Sequence, residues 1–425
     1  MASLEKIRYT PHRARTSGGA VVWMLVEGRE IDGVPQIFWR SGEPWREANM
    51  WAIERATSKD VGLKTIECNF VGLHAYAKWL ELKKKNWWDL PARKADRCLV
   101  QYRGALIDSR ESGELAPSTV SQRMRSVIAF YRWVYATRLL STDWPMWQER
   151  IVGIRLENSI GLQRTVAVTT TDISIPNRKA RGERLEDGLL PVSSVDRDAI
   201  LNLAHRVASD ELYMMIELAF FTGMRLGTIT GLKVQTLLQA VPDPVVPRLF
   251  LLSVGPNAIP AVATKFGVNG QIWILKPQLD ELIAYSHSVR RLQREAKADE
   301  KNRDLVFLTR FGNSYTQRGS EKSVAINVQM HALRKQAVPN GIYALRNFHF
   351  HQTRCTFATD LARLAISAMG AINAIHFVKD ALLHKDEATS LKYIKFVEKS
   401  PGKIAAANSF TREFLGLATA RAQGQ

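Results

Sequence analysis

The second half of the chain holds two arginines, two histidines, a lysine and a tyrosine of the types that phosphoryl chemistry needs. Arg225 follows Thr222-Gly223-Met224 and precedes Leu226. His351 and Arg354 lie three positions apart in His351-Gln352-Thr353-Arg354. His384 sits in Leu382-Leu383-His384-Lys385, and Tyr393 comes nine positions later. Lys265 occupies Thr264-Lys265-Phe266-Gly267. A guanidinium grips two oxygens at once and stays charged at any pH a protein survives. Two of them can clamp the non-bridging oxygens of a phosphoryl centre as it gains negative charge, an effect of about 10²–10³ in rate per donor. A phenol becomes a nucleophile once it sheds a proton whose ordinary pKa is about 10, and imidazole is the natural base.

Taken singly, none of these is specific. Tyr393 alone reads as a half-buried packing residue. Lys265 alone is an ordinary turn lysine, with Lys276 as the fallback. His349 stands close enough to His351 to be confused with it.

Their order and spacing carry more. The segment around Arg225 resembles the first arginine box of the tyrosine site-specific recombinases, the phage-integrase family. His351-Gln352-Thr353-Arg354, trailed by Thr356-Phe357-Ala358-Thr359, resembles that family's H-x-x-R box. Leu382 to Lys385 and Tyr393 resemble its last two elements at their habitual separation, and Thr264 to Gly267 resembles its lysine turn. The likeness covers roughly residues 190–399. It implies that Arg225 and Arg354 bind the scissile phosphate, and that His351 relieves Tyr393 of its proton. Lys265 would protonate the leaving 5′-oxygen, and His384 would donate to the same phosphate. A phosphotyrosine holds energy similar to that of a phosphodiester, so rejoining needs no ATP. The implied activity is cutting and rejoining specific DNA sites through a 3′-phosphotyrosine, for integration or excision of a mobile element, without metal or cofactor. The implied partners are double-stranded DNA, a synaptic homotetramer and an accessory or directionality factor. The rival readings are a type IB topoisomerase and a non-catalytic DNA-binding protein on the same scaffold. Three departures stand out: Cys355 where many relatives carry His, Leu383 where Gly is usual, and a thirty-residue interval from Arg354 to His384. An extra helical turn within 362–377 would absorb the last. Cys355 reads as a small buried thiol.

The elements that must position these residues read as mainly α with a small β-sheet. Residues 1–58 form a small N-terminal element, with strands over 20–27 and 34–40 joined through Gly28, Asp32 and Gly33, then a helix over 44–57. Pro35 restricts the second strand to an edge. Residues 59–156 form a helical domain, similar in pattern to the family's core-binding domain. Phe70, Leu73, Ala77 and Leu80 recur at helical spacing. Pro117 to Thr119 start a helix with Met124, Val127, Ile128, Tyr131, Val134 and Tyr135 on one face. Arg123, Arg125, Arg132 and Arg138 punctuate that helix with no acid nearby and are the candidate DNA-phosphate contacts. The polar stretch 157–190, with Pro176 and Gly182, reads as a linker. Residues 191–400 form the catalytic domain: Ser193 or Ser194 caps its first helix, strands cover 248–254 and 262–275, and helices resume from 279. The tail 401–425, with Ile404, Phe410, Phe414 and Leu415 at helical spacing, is a candidate oligomerisation helix.

Bulk properties agree. A chain of 425 residues implies about two or three domains. Hydrophobic residues at 46% exclude global disorder. A formal charge of +18 favours a polyanionic partner. No apolar run reaches the ~18–20 residues of a bilayer span, and residues 1–15 lack the apolar core of a signal peptide. A cytoplasmic, nucleoid-associated protein is expected. Cys68, Cys98 and Cys355 are too scattered for a zinc ribbon or a disulfide framework.

Overall fold

The structure is a computed structural model describing residues 1–26, 30–58, 61–157, 163–177, 185–316 and 322–400; at 17, 152–157, 163–168 and 187 only the backbone is described. The chain is mainly helical with small antiparallel sheets, in two compact units, Met1–Arg181 and Gly182–Gln425.

The first unit opens with four strands: β1 (Ser3–Tyr9), β2 (His12–Ser17), β3 (Ala20–Leu25) and β4 (Ile31–Phe38). The strands expected at 20–27 and 34–40 do not pair with each other. β3 pairs with β2 and β4 pairs with β1. The reason is Gly18-Gly19, both at positive φ, which makes the two-residue turn that suits the twist of a hairpin. Helices α1 (Arg46–Ser58), α2 (Leu63–Lys83), α3 (Cys98–Glu111) and α4 (Pro117–Ala136) follow. Pro117 begins α4, where its missing N–H costs nothing. Phe70, Leu73, Ala77 and Leu80 all face inward, as their spacing requires. They join Val34, Ile37, Trp45, Phe130 and Tyr131 in one core, so residues 1–58 are not a separate domain. Tyr135 does not join that face; it is 65% exposed. Arg138 lies beyond the end of α4, in a left-handed turn.

Part of the stretch read as a linker, 163–171, is a strand. β5 (Glu149–Glu157) and β6 (Gln163–Thr171) form a nine-pair antiparallel hairpin, and Ile173 and Ile175 are buried in the first unit's core. A two-stranded ribbon has no opposite layer to impose an apolar pattern, so the segment reads as polar and loop-like.

The second unit begins its helices at α5 (Ser194–Val207), where the Ser193 hydroxyl accepts the Asp196 N–H at 3.0 Å. Then come α6 (Asp210–Thr222), α7 (Leu226–Ile229), α8 (Val234–Leu238), and a three-stranded sheet of β7 (Val241–Pro242), β8 (Leu249–Val254) and β9 (Gly270–Leu275). The strand expected over 262–275 is shorter: Val262 makes one bridge to Gly255, and Lys265–Gly267 is a single tight turn. α9 (Lys276–Ser286), α10 (Val289–Glu295), α11 (Val324–Ala337), α12 (Gln352–Leu382) and α13 (residues 387–400) complete the unit. The tail 401–425 lies outside the described residues.

α12 bears on the site most. By length and composition it is the one helix among the described residues apolar enough to cross a bilayer, contrary to the reading of the sequence. It is not a single rod. Gly370, at φ 78° and ψ 162°, breaks it in a region open only to glycine. A straight helix would set residues 354 and 382 about 42 Å apart, yet the Arg354 guanidinium donates to the Leu382 carbonyl at 2.9 Å. The chain therefore reverses at Gly370. Ala358, Ala362 and Ala365 of the outgoing leg share a cluster with Ala374, Ile375 and Val378 of the returning one.

Candidate active site

Three helix ends meet at Arg354. α6 stops at Gly223, which is left-handed (φ 65°) and donates its N–H to the Ala219 carbonyl. A side chain there would also strike Phe357 and Leu382 at about 2.5 Å, so both conformation and space demand glycine. The Gly223 carbonyl accepts from Arg354 Nη1 at 2.6 Å, and the Leu382 carbonyl from Nη2. Two helix C-termini, each carrying partial negative charge, thus hold one buried guanidinium. Arg225, two positions after Gly223, enters the same space. Leu383 takes the left-handed position (φ 51°) that ends α12, which is why glycine would be natural there. Its side chain packs against Gly270 of β9, a contact glycine could not make.

These groups converge on Glu186. Its Oε1 accepts from Arg225 Nη2 at 2.6 Å. Its Oε2 accepts from Arg354 Nε at 3.2 Å and from the Tyr393 hydroxyl at 3.4 Å. His384 Nε2 and His351 Nε2 lie 3.6 and 3.9 Å from the same oxygen. Five of the six residues singled out in the sequence therefore surround one carboxylate. His349 is exposed, and His351 is the imidazole that faces the cluster.

Electrostatics follow from that packing. Burial works against the Glu186 charge, but His384, Arg354 and Arg225 outweigh it and hold the carboxyl well below the usual range. Burial, with Arg354 and Arg225 nearby, pushes His384 down to about 4 despite Glu186. The neutral ring stacks on Tyr393, with centroids 6.1 Å apart and planes 8° from parallel. Facing a carboxylate, its Nε2 is best protonated, which leaves Nδ1 to accept from the Ser390 hydroxyl at 2.8 Å. Tyr393 is buried, and burial together with Cys355 and Glu186 pushes its phenol well above the ordinary value. Cys355 packs as a buried thiol, its sulfur 3.8 Å from the Tyr393 oxygen. Arg225 Nε is buried with no acceptor among the described residues.

Lys265 is not drawn into this cluster: no hydrogen bond or ion pair among the described residues joins it to Glu186, Arg225 or Arg354. Its ammonium lies 5.5 Å from the ring of Phe266, as Lys385's does at 5.7 Å. Lys276 is tied to Asp280 at 2.7 Å. On α4, Arg125 and Arg132 are exposed and Arg123 is half-buried. The expectation that no acid stands near fails for Arg132, which meets Glu149 of β5 at 3.3 Å. Sequence reasoning missed Glu186 and Ser390. Glu186 lay in the stretch read as linker, and Ser390 carried no motif.

No protein-family model matches the chain, and no curated protein does. Among solved structures it is similar to the Tn1549 transposon integrase in complex with circular intermediate DNA, at 15% identity and TM-score 0.48, covering 82% of this chain and 94% of that one. It is also similar to a variant of that integrase in complex with transposon right end DNA, at 14% identity and TM-score 0.49, covering 85% and 99%. A lambda integrase dimer bound to a COC′ core site is similar at 13% identity and TM-score 0.44, covering 82% and 76%. These likenesses are of fold.

Proposed function

We propose that this protein is a site-specific tyrosine recombinase that cleaves and rejoins double-stranded DNA. One observation carries the reading: two arginines, two histidines and a tyrosine converge on a single carboxylate group. A phosphodiester set there offers more acceptor oxygens than a carboxylate, including one for the idle Arg225 Nε–H. Tyr393 Oη attacks phosphorus and forms the P–O bond, with His351 taking the phenol proton. The P–O5′ bond breaks, and Lys265 supplies the proton that the leaving oxygen needs. Arg225, Arg354 and His384 bind the charge on the non-bridging oxygens. Attack of a second strand's 5′-hydroxyl reverses these steps and reseals DNA. Strand exchange through a Holliday junction calls for a synaptic homotetramer, and an accessory factor would set direction. Such a protein works where chromosomal DNA is, at the nucleoid.

The test is a nicked suicide substrate that traps the covalent protein–DNA adduct. Wild type forms it in excess EDTA, and Tyr393→Phe binds the same DNA without forming it. An undiminished adduct with Tyr393→Phe would remove Tyr393 from the chemistry. Adduct without joining of two sites, but with relaxation of supercoils, would assign the chain to the topoisomerases instead.

A further inference from the structure

Glu186 has no part in the reaction just described, yet it makes the contacts that the scissile phosphate would make. It comes from a strap that lies along the first turns of α12. Residues 186–188 form one tight turn, closed by the Leu185 N–H donating to the Leu189 carbonyl at 3.0 Å. Leu185 is buried in the cluster that contains Cys355, Ala358 and Tyr393. Further along, Gln352 Nε2 donates to the Leu190 carbonyl at 3.1 Å, and the Val192 N–H donates to the Thr356 hydroxyl at 3.0 Å. The strap is thus pinned at both ends with its carboxylate inside the cradle. In this arrangement Tyr393, Arg354, His384 and Arg225 are all buried. A DNA strand cannot reach them while Glu186 is in place.

We propose that Glu186 is an internal stand-in for the scissile phosphate, and that DNA engages the site by displacing it. This rests on the recombinase reading. A carboxylate and a phosphodiester each carry one negative charge, so the exchange leaves the charge of the site unchanged. Two guanidiniums are spared a spell buried without an anion, which would be costly. The closed state also keeps the Tyr393 phenol protonated in the absence of DNA. A ligand that must first open a site binds with an apparent affinity reduced by the fraction of molecules already open.

The experiment compares full-length wild type, Glu186→Gln and Glu186→Ala. Single-turnover adduct formation is followed across a range of suicide-substrate concentrations. Removing the competing charge should lower the half-saturating DNA concentration by about tenfold or more, with the saturating rate equal to or above wild type. If Glu186 instead positions the arginines for catalysis, Glu186→Gln lowers the saturating rate and leaves half-saturation where it was, which overturns the proposal. An arm independent of cleavage uses inorganic sulfate at low millimolar concentration. Glu186→Ala should gain thermal stability from sulfate relative to wild type, and Glu186→Ala/Arg354→Ala should lose that gain. No gain in Glu186→Ala overturns the proposal. If sulfate binds as expected but no protein forms a Tyr393 adduct, the recombinase reading fails while the internal anion stands. Identical DNA dependence in wild type and Glu186→Gln, with adduct present, sinks the stand-in and leaves the recombinase.

Discussion

Arginine appears in this molecule in two settings. Arg225 and Arg354 are 9% and 2% exposed, and among the described residues each hydrogen-bond partner they hold is a carboxylate or a backbone carbonyl fixed by a helix end. Along and beyond α4, Arg125, Arg132 and Arg138 stand in solvent, and Arg132 shares its charge with an equally exposed Glu149. Buried ions cost several kcal/mol to desolvate and so must be matched group by group. Exposed ones cost and gain little, with a typical pair worth about 0–1 kcal/mol. The first setting fixes one geometry. The second leaves its charge spread over the surface, where salt screens it.

Arg354→Ala tests the buried setting most severely. It strands Glu186 and two helix-end carbonyls, and should destabilise the second unit by about 3–5 kcal/mol, read as a lower melting temperature. Arg354→Lys keeps the charge but loses the fork. It should remain folded while adduct formation falls about 10²-fold or more; retention of full activity would show that charge alone suffices.

Acid should separate the two settings next. His384 is held at about 4, below its ordinary 6.5, so the unfolded chain takes up that proton first. Stability from the neutral ring is complete above about pH 6.5 and is lost as pH falls towards 4, about 3 kcal/mol in all. Glu186, held below the usual range, contributes stability that disappears on further acidification below about 4.5. Denaturation followed from pH 7 to 3 should show both losses in wild type and a smaller second loss in Glu186→Gln, where Glu211, Glu67 and Asp172 still titrate. Substituting the exposed Arg125 or Arg132 of α4 should leave the profile alone.

Lys265 belongs to neither setting, its ammonium 5.5 Å from the Phe266 ring. Lys265→Ala should slow cleavage roughly 10²-fold. A bridging sulfur in place of the 5′-oxygen leaves without a proton and should restore the rate, whereas Arg354→Ala should gain nothing from it. Rescue of both, or of neither, would dismiss Lys265 as the acid. The smallest effect belongs to Arg125→Ala and Arg132→Ala. Each should weaken DNA binding a few-fold, across all sequences, and reduce the salt slope by about 0.9. A slope identical to wild type would take α4 off the DNA.

Much of the site was legible because its residues sit in short local motifs. Arg225 follows a glycine that ends a helix, His351 and Arg354 share one helical turn, and His384 and Tyr393 are separated by a fixed step. Ser193 as a cap was equally local. What escaped was whatever depended on meeting something distant. Glu186 reaches across 168 positions to Arg354, and nothing around it in a polar stretch marks it. The strands before residue 20 and the Gly18-Gly19 turn escaped, and with them the partners of β3 and β4. The hairpin at 149–171 and the shared core of the first unit were hidden for the same reason: pairing partners are not written into either strand alone.

The reversal at Gly370 changes how the distance from Arg354 to His384 should be understood. Those thirty positions are the contour of an excursion that leaves the site and returns to it, with its tip in solvent: Ile372, beside the break, is exposed. Such a path cannot lengthen one residue at a time. Each added turn outward needs a matching turn back to keep the inward faces in register, so permitted lengths step by about seven residues. A pattern search that fixes this interval would pass over proteins with the same site on a longer or shorter excursion. One that lets it vary in such steps, while holding the nine-residue step to the tyrosine constant, would find them.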